Sequence, residues 1–478
     1  MNRDRVAATL AAIVGAEGVR ARPSELLAYS ADGLPTYHLR PWLAVLPRTG
    51  DQLIAVVRAL AEIGCPFVPR GAGTGLSAGA LAEGEVVMIG TSRLDRIIAI
   101  DPVNRLATVE PGTVNVALTR AASEFGLHYA PDPSSQTACT IGGNIAENSG
   151  GPHCLKYGVT LNHVAALDVV LPDGSLVTLG NADGESDGYD LLGAFIGSEG
   201  CFGIAYEITV RLTPNPEAVR TLLADFRSID DGARATSAII AHGLVPAALE
   251  MMDGPTIRAV EASIYAAGYP ADADAVLLIE LDGLAAGLDE DVRTVEALCR
   301  ANGAREVRVA HSEAERGRLW QGRKKAFGAM GRIASDLVVQ DAVIPRTKLP
   351  EIMATIQEIA ARYRIQVCNV FHAGDGNLHP NIGFDASNPD ESERVHDAMR
   401  EIMRACIDAG GSITGEHGVG LDKLEYMPLA FTPDSLAAQC QLREAFDPMR
   451  RSNPGKVIPV RSCREWTVSA PLRRAAVS

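Results

Sequence analysis

The amino-acid sequence predicts an α+β fold in two domains, each mixing helices with strands. From about residue 44 to residue 214 the chain is rich in glycine and in short β-type runs. Pro214-Asn215-Pro216 then breaks the chain, and longer helical and strand patterns follow. A length of 478 residues suggests about two or three domains. We expect an N-terminal helical segment at 1–37, a first α+β domain at 38–216, a second at 217–460 and a tail at 461–478.

The individual elements follow from hydrophobic periodicity and from the positions of glycine and proline. In the first domain the predicted strands are Ala44–Leu46, Phe67–Pro69, Val86–Ile89, Ala107–Val109, Val164–Leu171 and Ile204–Leu212, and the predicted helices are Gln52–Ile63 and Val114–Phe125. In the second domain the pattern predicts a strand at Ala275–Asp282 and helices at Asp289–Ala301, Leu349–Tyr363 and Glu391–Ala409.

The N-terminus allows two interpretations, because Arg3 and Arg5 precede an apolar run from Val6 to Ala16. A short apolar run after positive charge resembles a secretory signal. Apolar residues at helical spacing, namely Val6, Leu10, Ile13 and Val14, instead favour an amphipathic helix. No stretch reaches the roughly 18–20 apolar residues of a membrane span, so we expect a cytoplasmic protein.

Composition excludes some classes of partner. Lys and Arg number 44 against 59 Asp and Glu, which gives a net charge of −15 and argues against nucleic acid, since phosphate binding needs clustered cations. The nine cysteines contain no CxxC pair. Their spacing therefore fits a reducing compartment and provides no local iron–sulfur or zinc-thiolate motif.

A glycine-rich segment, Val68 to Ala80, follows a short apolar strand. Its Gly73-x-Gly75-x-x-Ala78 pattern formally fits the dinucleotide fingerprint. That fingerprint must open a helix, whereas here the segment runs into the strand predicted at 86–89. We therefore reject the Rossmann interpretation and predict a strand–loop–strand unit, whose backbone N–H groups can form an anion-binding nest.

Two further glycine-rich loops are predicted in the same domain. Pro131–Ser135 precedes the segment Thr140–Gly151, and Gly197–Gly203 follows later. Repeated glycines mark places where the backbone adopts positive φ or passes close to another group. Three tight turns are the alternative, and the combination favours a bound ligand.

The order of these motifs, Arg-Gly-x-Gly-Thr-Gly-Leu-Ser, Pro-Asp-Pro-Ser-Ser, Ile-Gly-Gly-Asn and Gly-Ser-Glu-Gly, resembles the PCMH-type FAD-binding domain of the vanillyl-alcohol-oxidase family. The resemblance implies that the first loop wraps the pyrophosphate, the second region lines the ribityl chain and ring, and the third approaches the adenine. The residues it assigns to FAD are Arg70, Gly71, Ala72, Gly73, Thr74, Gly75, Ser77, Pro131, Asp132, Ser134, Ser135, Gly142, Gly143, Asn144, Ala146, Asn148, Glu199, Gly200, Gly203, Ile204 and Asn453.

Two points qualify this resemblance. Ala78 stands where the family usually has a third glycine, and we expect it to be tolerated with a negative φ. Some relatives attach FAD covalently through His or Cys, and His153 and Cys154 lie in the corresponding region. We interpret both as structural, so the expected FAD is non-covalent.

In the second domain, residues 367–382 contain His372 and His379 on either side of Asp375-Gly376. Asp-Gly favours a two-residue type I′ turn, which would place His372 directly opposite His379. Two imidazoles so placed can chelate a divalent ion. A chance pair of surface histidines is the alternative.

A third ligand is suggested by Gly411–Lys423, where Glu416-His417 stands between glycines. Such a pair suits a loop that approaches a cofactor closely. Two histidines and one carboxylate form a three-ligand set that leaves coordination positions open for substrate.

These motifs resemble the C-terminal domain of FAD-linked oxidases and dehydrogenases acting on 2-hydroxy acids. The resemblance implies that His372, His379 and Glu416 bind a divalent metal (Zn, Mn or Fe) and that His417 is the acid–base residue. Arg323 matches the arginine that pairs with the substrate carboxylate, and Asn377 joins the catalytic set. Without the resemblance, Arg323 would be interpreted as part of a solvated basic helix face.

The implied architecture is a PCMH-type FAD-binding domain followed by an α+β FAD-linked oxidase C-terminal domain for substrate and metal. The implied activity is FAD-dependent oxidation of a 2-hydroxy acid, with glycolate favoured, giving glyoxylate. The alternatives are a D-lactate or D-2-hydroxyglutarate dehydrogenase and a non-catalytic flavin electron-transfer subunit. The implied partners are a second FAD-type subunit and an iron–sulfur subunit, through which the protein would meet the inner face of the membrane.

Overall fold

The computed structural model describes residues 1–183 and 188–459. The predicted tail at 461–478 lies outside this range. The chain forms two compact units, each assembled from more than one segment. Unit 1 comprises Met1–Gly150, Val159–Asn215 and Glu416–Ser478, and unit 2 comprises Gly151–Gly158 and Pro216–Gly415.

Both units mix helices and strands. The strands are β1 (Val19–Arg20), β2 (Leu43–Val45), β3 (Phe67–Arg70), β4 (Val87–Gly90), β5 (Ile97–Asp101), β6 (Leu106–Val109), β7 (Leu127–His128), β8 (Val164–Val170), β9 (Leu176–Gly180), β10 (Ile204–Arg211), β11 (Thr213–Pro214), β12 (Ala218–Phe226), β13 (Ala248–Asp253), β14 (Ala275–Gly283), β15 (Glu306–Val309), β16 (Asp336–Val339), β17 (Ala342–Val343), β18 (Gln366–His372), β19 (Asn377–Leu378) and β20 (Pro380–Phe384).

The helices follow the same numbering in chain order. They are α1 (Arg3–Val14), α2 (Pro23–Leu26), α3 (Gly50–Ile63), α4 (Asn115–Ser123), α5 (Ile141–Glu147), α6 (Cys154–Tyr157), α7 (Leu191–Phe195), α8 (Ile229–Ala241), α9 (Gly254–Glu261), α10 (Ala285–Ala301), α11 (Glu313–Lys324), α12 (Ala326–Met330), α13 (Leu349–Tyr363), α14 (Pro389–Asp408), α15 (Met427–Ala430) and α16 (Pro433–Phe446).

Unit 1 contains two main sheets. The first has the order β1-β2-β4-β3, in which β2, β4 and β3 are parallel. Helix α3 connects β2 to β3 and buries Leu53, Val56 and Leu60 among the core residues of that sheet. The second sheet, β5-β6-β10-β8-β9, is antiparallel and packs on a separate apolar cluster. The predicted strands of the first domain all occur, with ends shifted by at most one residue.

The N-terminal run forms an amphipathic helix, as predicted. Helix α1 begins after Asn2, whose side chain accepts a hydrogen bond from the backbone N–H of Arg5, and it buries Val6, Leu10 and Val14. These side chains join the apolar cluster of the parallel sheet. Burial of one face at the 3.6-residue period accounts for the apolar spacing.

One glycine-rich region differs from the prediction. We expected a loop throughout Thr140–Gly151, but Ile141–Glu147 forms helix α5. The Thr140 side chain accepts a hydrogen bond from the backbone N–H of Gly143 and so caps the helix at its start. Paired glycines disfavour a helix interior, and the cap together with burial of Ile141 and Ile145 offsets that preference.

Unit 2 is built on an antiparallel sheet with the order β15-β12-β14-β13-β18-β19-β17, to which β20 and β16 add beyond β18. Strands β13 and β14 are buried along most of their length. Helices α8 and α10 pack on β12 and β14, whereas α9 packs on β13 and β18. The predicted strand at 275–282 and the three predicted helices of this domain are all present.

The segment after residue 416 returns to unit 1, where its closing turn contacts the glycine-rich loops. The Asn453 amide nitrogen donates to the carbonyl oxygens of Gly79 (2.9 Å) and Glu199 (2.6 Å). Lys456, also buried, donates through Nζ to the carbonyl oxygen of Leu81 at 2.7 Å. The closing turn thus holds two of the glycine-rich regions in place.

None of the helices within residues 1–183 and 188–459 is both long enough and apolar enough to cross a membrane.

Arg443 generates a stability prediction, because it is buried and donates to the carbonyl oxygens of Lys456 (3.2 Å), Ser452 (3.0 Å) and Asn453 (3.1 Å). We expect Arg443→Ala to destabilise unit 1 by about 2–4 kcal/mol, since buried carbonyl groups lose charged donors. The measurement is thermal unfolding followed by circular dichroism. Arg120→Ala, at an exposed site on α4, is the matched control and should change stability by less than about 0.5 kcal/mol. Equal behaviour of the two variants would contradict the assigned role.

Candidate active site

The first glycine-rich loop joins β3 to β4, which are parallel neighbours, so the segment is a strand–loop–strand unit as predicted. Gly71 lies against the Thr140 side chain, since a Cβ atom there would stand 2.5 Å from Thr140 Oγ1. Gly73 has a φ of +71° and lies directly against the guanidinium of Arg70. Side chains at these two positions would collide with Thr140 and with Arg70.

The expected negative φ at Ala78 is wrong. Ala78 is fully buried and has a φ of +59°, in the left-handed region that favours glycine. A left-handed conformation costs an alanine roughly 1–2 kcal/mol. The loop therefore keeps the conformation that a glycine would provide, and the neighbouring contacts hold it there.

The second region is organised by a residue that sequence analysis missed. Asn115 is buried on α4, and its Nδ2 atom donates to the carbonyl oxygen of Pro131 at 2.9 Å and to Asn144 Oδ1 at 3.0 Å. Asn148 ends α5 in the left-handed conformation, with a φ of +54°. Asn115 thus joins the Pro-Asp-Pro-Ser-Ser segment to helix α5. A lone Asn in a helical pattern carries no signal of this role.

The third region lies against helix α5. The backbone N–H of Gly197 donates to the carbonyl oxygen of Ile145 (2.9 Å), and the backbone N–H of Glu199 donates to the carbonyl oxygen of Ala146 (2.8 Å). Positive φ values occur at Gly197, Glu199, Gly200 and Gly203. Unit 1 therefore brings all three glycine-rich regions together, which the sequence order alone did not establish.

The Glu199 side chain is buried and accepts hydrogen bonds from the backbone N–H groups of Val419 (2.6 Å) and Gly420 (2.7 Å). Burial raises the pKa of this carboxyl to about 7, although the two hydrogen bonds oppose the shift. A Cβ atom at Gly418 would collide with the carboxylates of Glu147 and Glu199. Glu199 therefore fixes the backbone that follows His417.

Several buried polar atoms around these loops have no hydrogen-bond partner within the described parts of the chain. They are Arg70 Nη1, Ser77 Oγ, Ser198 Oγ and Asn453 Oδ1. Because burying such groups without partners is unfavourable, they fit a polar ligand such as FAD. The other predicted cofactor residues lie in the same regions: Ala72, Thr74, Gly75, Asp132, Ser134, Ser135, Gly142, Gly143 and Ile204.

In unit 2 the predicted hairpin exists, but its register differs from the prediction. His372 pairs with Asn377 rather than with His379, and Ala373–Gly376 forms a four-residue connection. The same register continues where Asn369 pairs with Pro380. The shift equals two residues, so His379 remains on the face of His372 as a diagonal neighbour.

Both histidines are buried, and their rings are perpendicular, with centroids 5.2 Å apart. Nδ1 of His372 lies 2.7 Å from Glu250 Oε1. Nδ1 of His379 lies 3.4 Å from the carbonyl oxygen of Gln340. In both rings Nδ1 thus faces an oxygen atom of the protein, as in ligating histidines that are oriented through Nδ1 and bind a metal through Nε2.

Arg323 is buried near the C-terminus of α11, so the solvated-face interpretation is wrong. Its Nη2 atom is in ionic contact with Glu250, but the contact lacks the alignment of a hydrogen bond. Nε and Nη2 of Arg323 have no hydrogen-bond acceptor within the described residues. Burial raises the pKa of Glu250, but the charges of Arg323 and His372 outweigh that effect and lower it. Sequence analysis missed Glu250, because a single Glu in an apolar strand has no motif.

Asp341 and Gly415 fix the backbone that leads into the Gly-Glu-His-Gly motif. The fully buried Asp341 accepts hydrogen bonds from Thr414 Oγ1 (2.6 Å) and from the backbone N–H of Gly415 (2.9 Å). A Cβ atom at Gly415 would stand 2.5 Å from Asn377 Nδ2. Only a glycine fits between Asp341 and Asn377 without a rearrangement.

Glu416 follows Gly415 directly and begins the last segment of unit 1. The side chains of Glu416 and His417 are mostly buried, and His417 Nε2 lies 3.9 Å from Glu416 Oε1. Unit 2 therefore places Arg323 and His372 against Glu250, with Asn377 and His379 beside His372. Glu416 and His417 follow Gly415 directly in the chain.

Two family models match this chain. Residues 41–180 match the FAD binding domain, and residues 215–457 match the C-terminal domain of FAD linked oxidases. The chain belongs to the family of FAD-linked oxidases, and it is accordingly an FAD-binding oxidoreductase.

Characterised relatives are similar over most of the chain. The glycolate oxidase subunit GlcD of Escherichia coli is 46% identical over 92% of this chain and 89% of its own length. The subunit of the same name from Bacillus subtilis is 42% identical over 90% and 92%. A D-lactate dehydrogenase of Anaerostipes hadrus is 33% identical over 87% and 90%.

Solved structures share the fold at lower identity. Substrate-bound p-cresol methylhydroxylase superposes with a TM-score of 0.80 at 16% identity, covering 95% of this chain and 96% of that one. The 4-ethylphenol oxidase of Gulosibacter chungangensis gives a TM-score of 0.78 at 17% identity, covering 96% and 98%. The predicted fold class, a PCMH-type FAD-binding domain followed by an α+β oxidase domain, is confirmed.

Gly415 yields a prediction about the histidine pair. In Gly415→Ala the new Cβ atom must displace the Asn377 side chain, whose backbone pairs with His372. We expect divalent-cation affinity to fall about 10–100-fold, as when outer partners of metal ligands are changed, while flavin content is unchanged. Titration of metal-stripped protein with Mn²⁺ and flavin absorbance are the measurements.

Gly317→Ala is the matched control, because a Cβ atom there meets no other atom within 4 Å. It lies inside α11, so we expect unchanged cation binding and a gain of up to about 1 kcal/mol in stability. Cation affinity that stays at the wild-type value in Gly415→Ala would show that Asn377 is not coupled to the histidines.

Proposed function

We propose that the protein oxidises a 2-hydroxy acid, with glycolate as the favoured substrate and glyoxylate as the product. The observation that carries the proposal is the buried guanidinium of Arg323, which holds donors without acceptors beside a pair of buried histidines. A buried planar fork of this kind suits a carboxylate ligand. The similarity to two glycolate oxidase subunits supports glycolate as that ligand.

The reaction removes the hydroxyl proton and a hydride from Cα, which converts the carbinol to a carbonyl group. FAD, when bound, accepts the hydride and its two electrons. In this proposal Arg323 binds the carboxylate and orients Cα, which makes the reaction effectively intramolecular. His417 accepts the hydroxyl proton, a role that suits imidazole as a common general base in enzymes.

We propose that a divalent cation (Zn, Mn or Fe) is held by His372, His379 and Glu416. Two imidazoles and one carboxylate are donors that all three metals accept, and Nδ1 of each histidine faces an oxygen atom, which is how histidines that bind a metal through Nε2 are oriented. Such an ion would lower the pKa of the substrate hydroxyl as a Lewis acid. Asn377, buried beside His372, would orient the substrate through its amide.

We also propose that the FAD is non-covalent. His153 is engaged with Glu280, since its Nε2 lies 3.2 Å from Glu280 Oε1. The reduced flavin would then pass its electrons to partner subunits, a second FAD-type subunit and an iron–sulfur subunit. A relative named as a subunit supports the existence of partners.

The experiment that tests the activity is anaerobic reduction of the bound flavin. Glycolate should bleach the flavin absorbance fastest, followed by D-lactate, with L-lactate and D-2-hydroxyglutarate slower. Similarity to a D-lactate dehydrogenase makes D-lactate the second candidate substrate. If none of the four acids reduces the flavin while dithionite does, the protein is not a 2-hydroxy-acid oxidoreductase.

The ligand set predicts which variants lose metal. Alanine variants of His372, His379 and Glu416 should each lose bound metal and keep FAD, since the FAD loops belong to unit 1. His417→Ala should keep both and lose turnover, because only the proton acceptor is removed. Plasma emission measures metal, absorbance measures flavin and dye reduction measures activity. Full metal occupancy in both histidine variants, or loss of metal from His417→Ala, would contradict the assignment.

A further inference from the structure

Unit 2 contains two triads of the same composition, each formed by a buried Glu, an Arg from helix α11 and a His. In the first, Glu250 contacts Arg323 and His372. In the second, Glu280 contacts Arg316 and His153. The two glutamates are 0% and 2% exposed, so both charges are fully removed from water.

The repeat has a geometric origin. Arg316 and Arg323 are separated by seven residues on α11, which is about two helical turns and places them on one helix face. Glu250 pairs with Leu278 on the neighbouring strand, so Glu280 is its diagonal neighbour on the same sheet face. One helix face thus places an arginine over each buried carboxylate.

The two triads differ in how completely they are satisfied. Glu280 accepts from Arg316 Nε (2.9 Å), Arg316 Nη2 (2.9 Å), Trp320 Nε1 (2.6 Å) and Thr221 Oγ1 (2.7 Å). Its arginine is held in a bidentate, aligned contact. Arg323 by contrast makes an unaligned contact with Glu250 and keeps Nε and Nη2 without acceptors in the described chain.

A structural role is enough to account for the Glu280 triad, because every charge in it is compensated within the fold. The Glu250 triad is not accounted for by stability, since buried donors without acceptors make folding less favourable. Its two carboxylate oxygens also serve different groups: Oε1 faces the His372 ring and Oε2 faces Arg323. The carboxylate therefore links a histidine of the proposed metal site to the arginine of the proposed carboxylate site.

We propose that Glu250 is a positioning residue that couples cation binding to binding of the substrate carboxylate. It accepts the Nδ1 proton of His372, which fixes the tautomer and turns Nε2 toward the cation. It also contacts the Arg323 guanidinium at Nη2 and leaves Nε, which has no acceptor in the described chain, for a second carboxylate. The inference rests on the proposed function for the identity of that carboxylate.

The test compares Glu250→Gln with Glu280→Gln, because both remove a buried charge that faces an arginine of α11. We expect Glu250→Gln to weaken Mn²⁺ binding by about 10–100-fold in metal-stripped protein. At saturating Mn²⁺ it should raise KM for glycolate by more than it lowers kcat, since the misplaced Arg323 affects binding first. Glu280→Gln should lower thermal stability, with Mn²⁺ affinity and KM within threefold of wild type. FAD content should be unchanged in both.

Two outcomes would overturn the proposal. One is a Glu250→Gln variant whose Mn²⁺ affinity and KM both remain within threefold of wild type. The other is an equal loss of Mn²⁺ affinity in Glu280→Gln, which would make the effect a general consequence of disturbing the sheet.

An unpaired Arg323 charge can prevent Glu250→Gln from folding, since an isolated buried charge is strongly unfavourable. The alternative comparison is Arg323→Met against the double variant Arg323→Met with Glu250→Gln, in which no such charge remains. The double variant should bind Mn²⁺ at least tenfold more weakly than Arg323→Met alone, and equal affinities would refute the role of Glu250. If wild-type protein binds Mn²⁺ but oxidises no 2-hydroxy acid, the proposed function fails, and the Mn²⁺ comparison still decides whether Glu250 positions His372.

Discussion

The amide group of Asn453 is the contact on which the glycine-rich loops depend. Its nitrogen donates to two carbonyl groups that lie in different loops, those of Gly79 and Glu199. Glycine-rich segments lose more conformational entropy on folding than other segments, so external contacts must hold them in one shape. Ala78, with its φ of +59°, shows the strength of that restraint, because an ordinary residue is kept in a conformation that it disfavours. A ligand can then meet a preformed backbone surface.

Unit 2 differs from unit 1, because its candidate site is organised by buried charged side chains rather than by glycine-rich loops. Glu250 and Glu280 lie on adjacent strands of one sheet, Asp341 directly precedes β17 of that sheet, and all three are removed from water. Each is compensated by cationic or backbone donors, which is the condition for burying a carboxylate. The compensation is complete at Glu280 and incomplete at Glu250, and this difference separates a structural network from one that is open to ligands. The incompletely compensated charge of Glu250 thus distinguishes the candidate site of unit 2 from the structural network around Glu280.

Much of this architecture could be predicted from the sequence, and the failures have specific causes. Periodicity located α13 at Leu349–Tyr363 without error, because a long amphipathic helix repeats its signal over several turns. The Asp375-Gly376 dipeptide predicted the position of the hairpin but not its register. The dipeptide is compatible with a two-residue turn and also with the four-residue connection Ala373–Gly376 that the structure has. The predicted face of His379 was right because the error was an even number of residues. Glu250 and Asn115 were missed because their roles arise from tertiary contacts that leave no local pattern.

The return of the last segment to unit 1 has a consequence for biosynthesis. The glycine-rich loops are translated within the first 203 residues, yet Asn453 and Lys456 reach the ribosomal exit some 240 residues after the first strands of unit 2 begin. At about 5–20 residues per second this interval lasts roughly 10–50 s. During that time unit 2 can form its own core, whereas the loops of unit 1 lack their closing contacts. The nascent chain is therefore expected to complete its flavin-binding surface only after the whole segment that forms unit 2 has been synthesised.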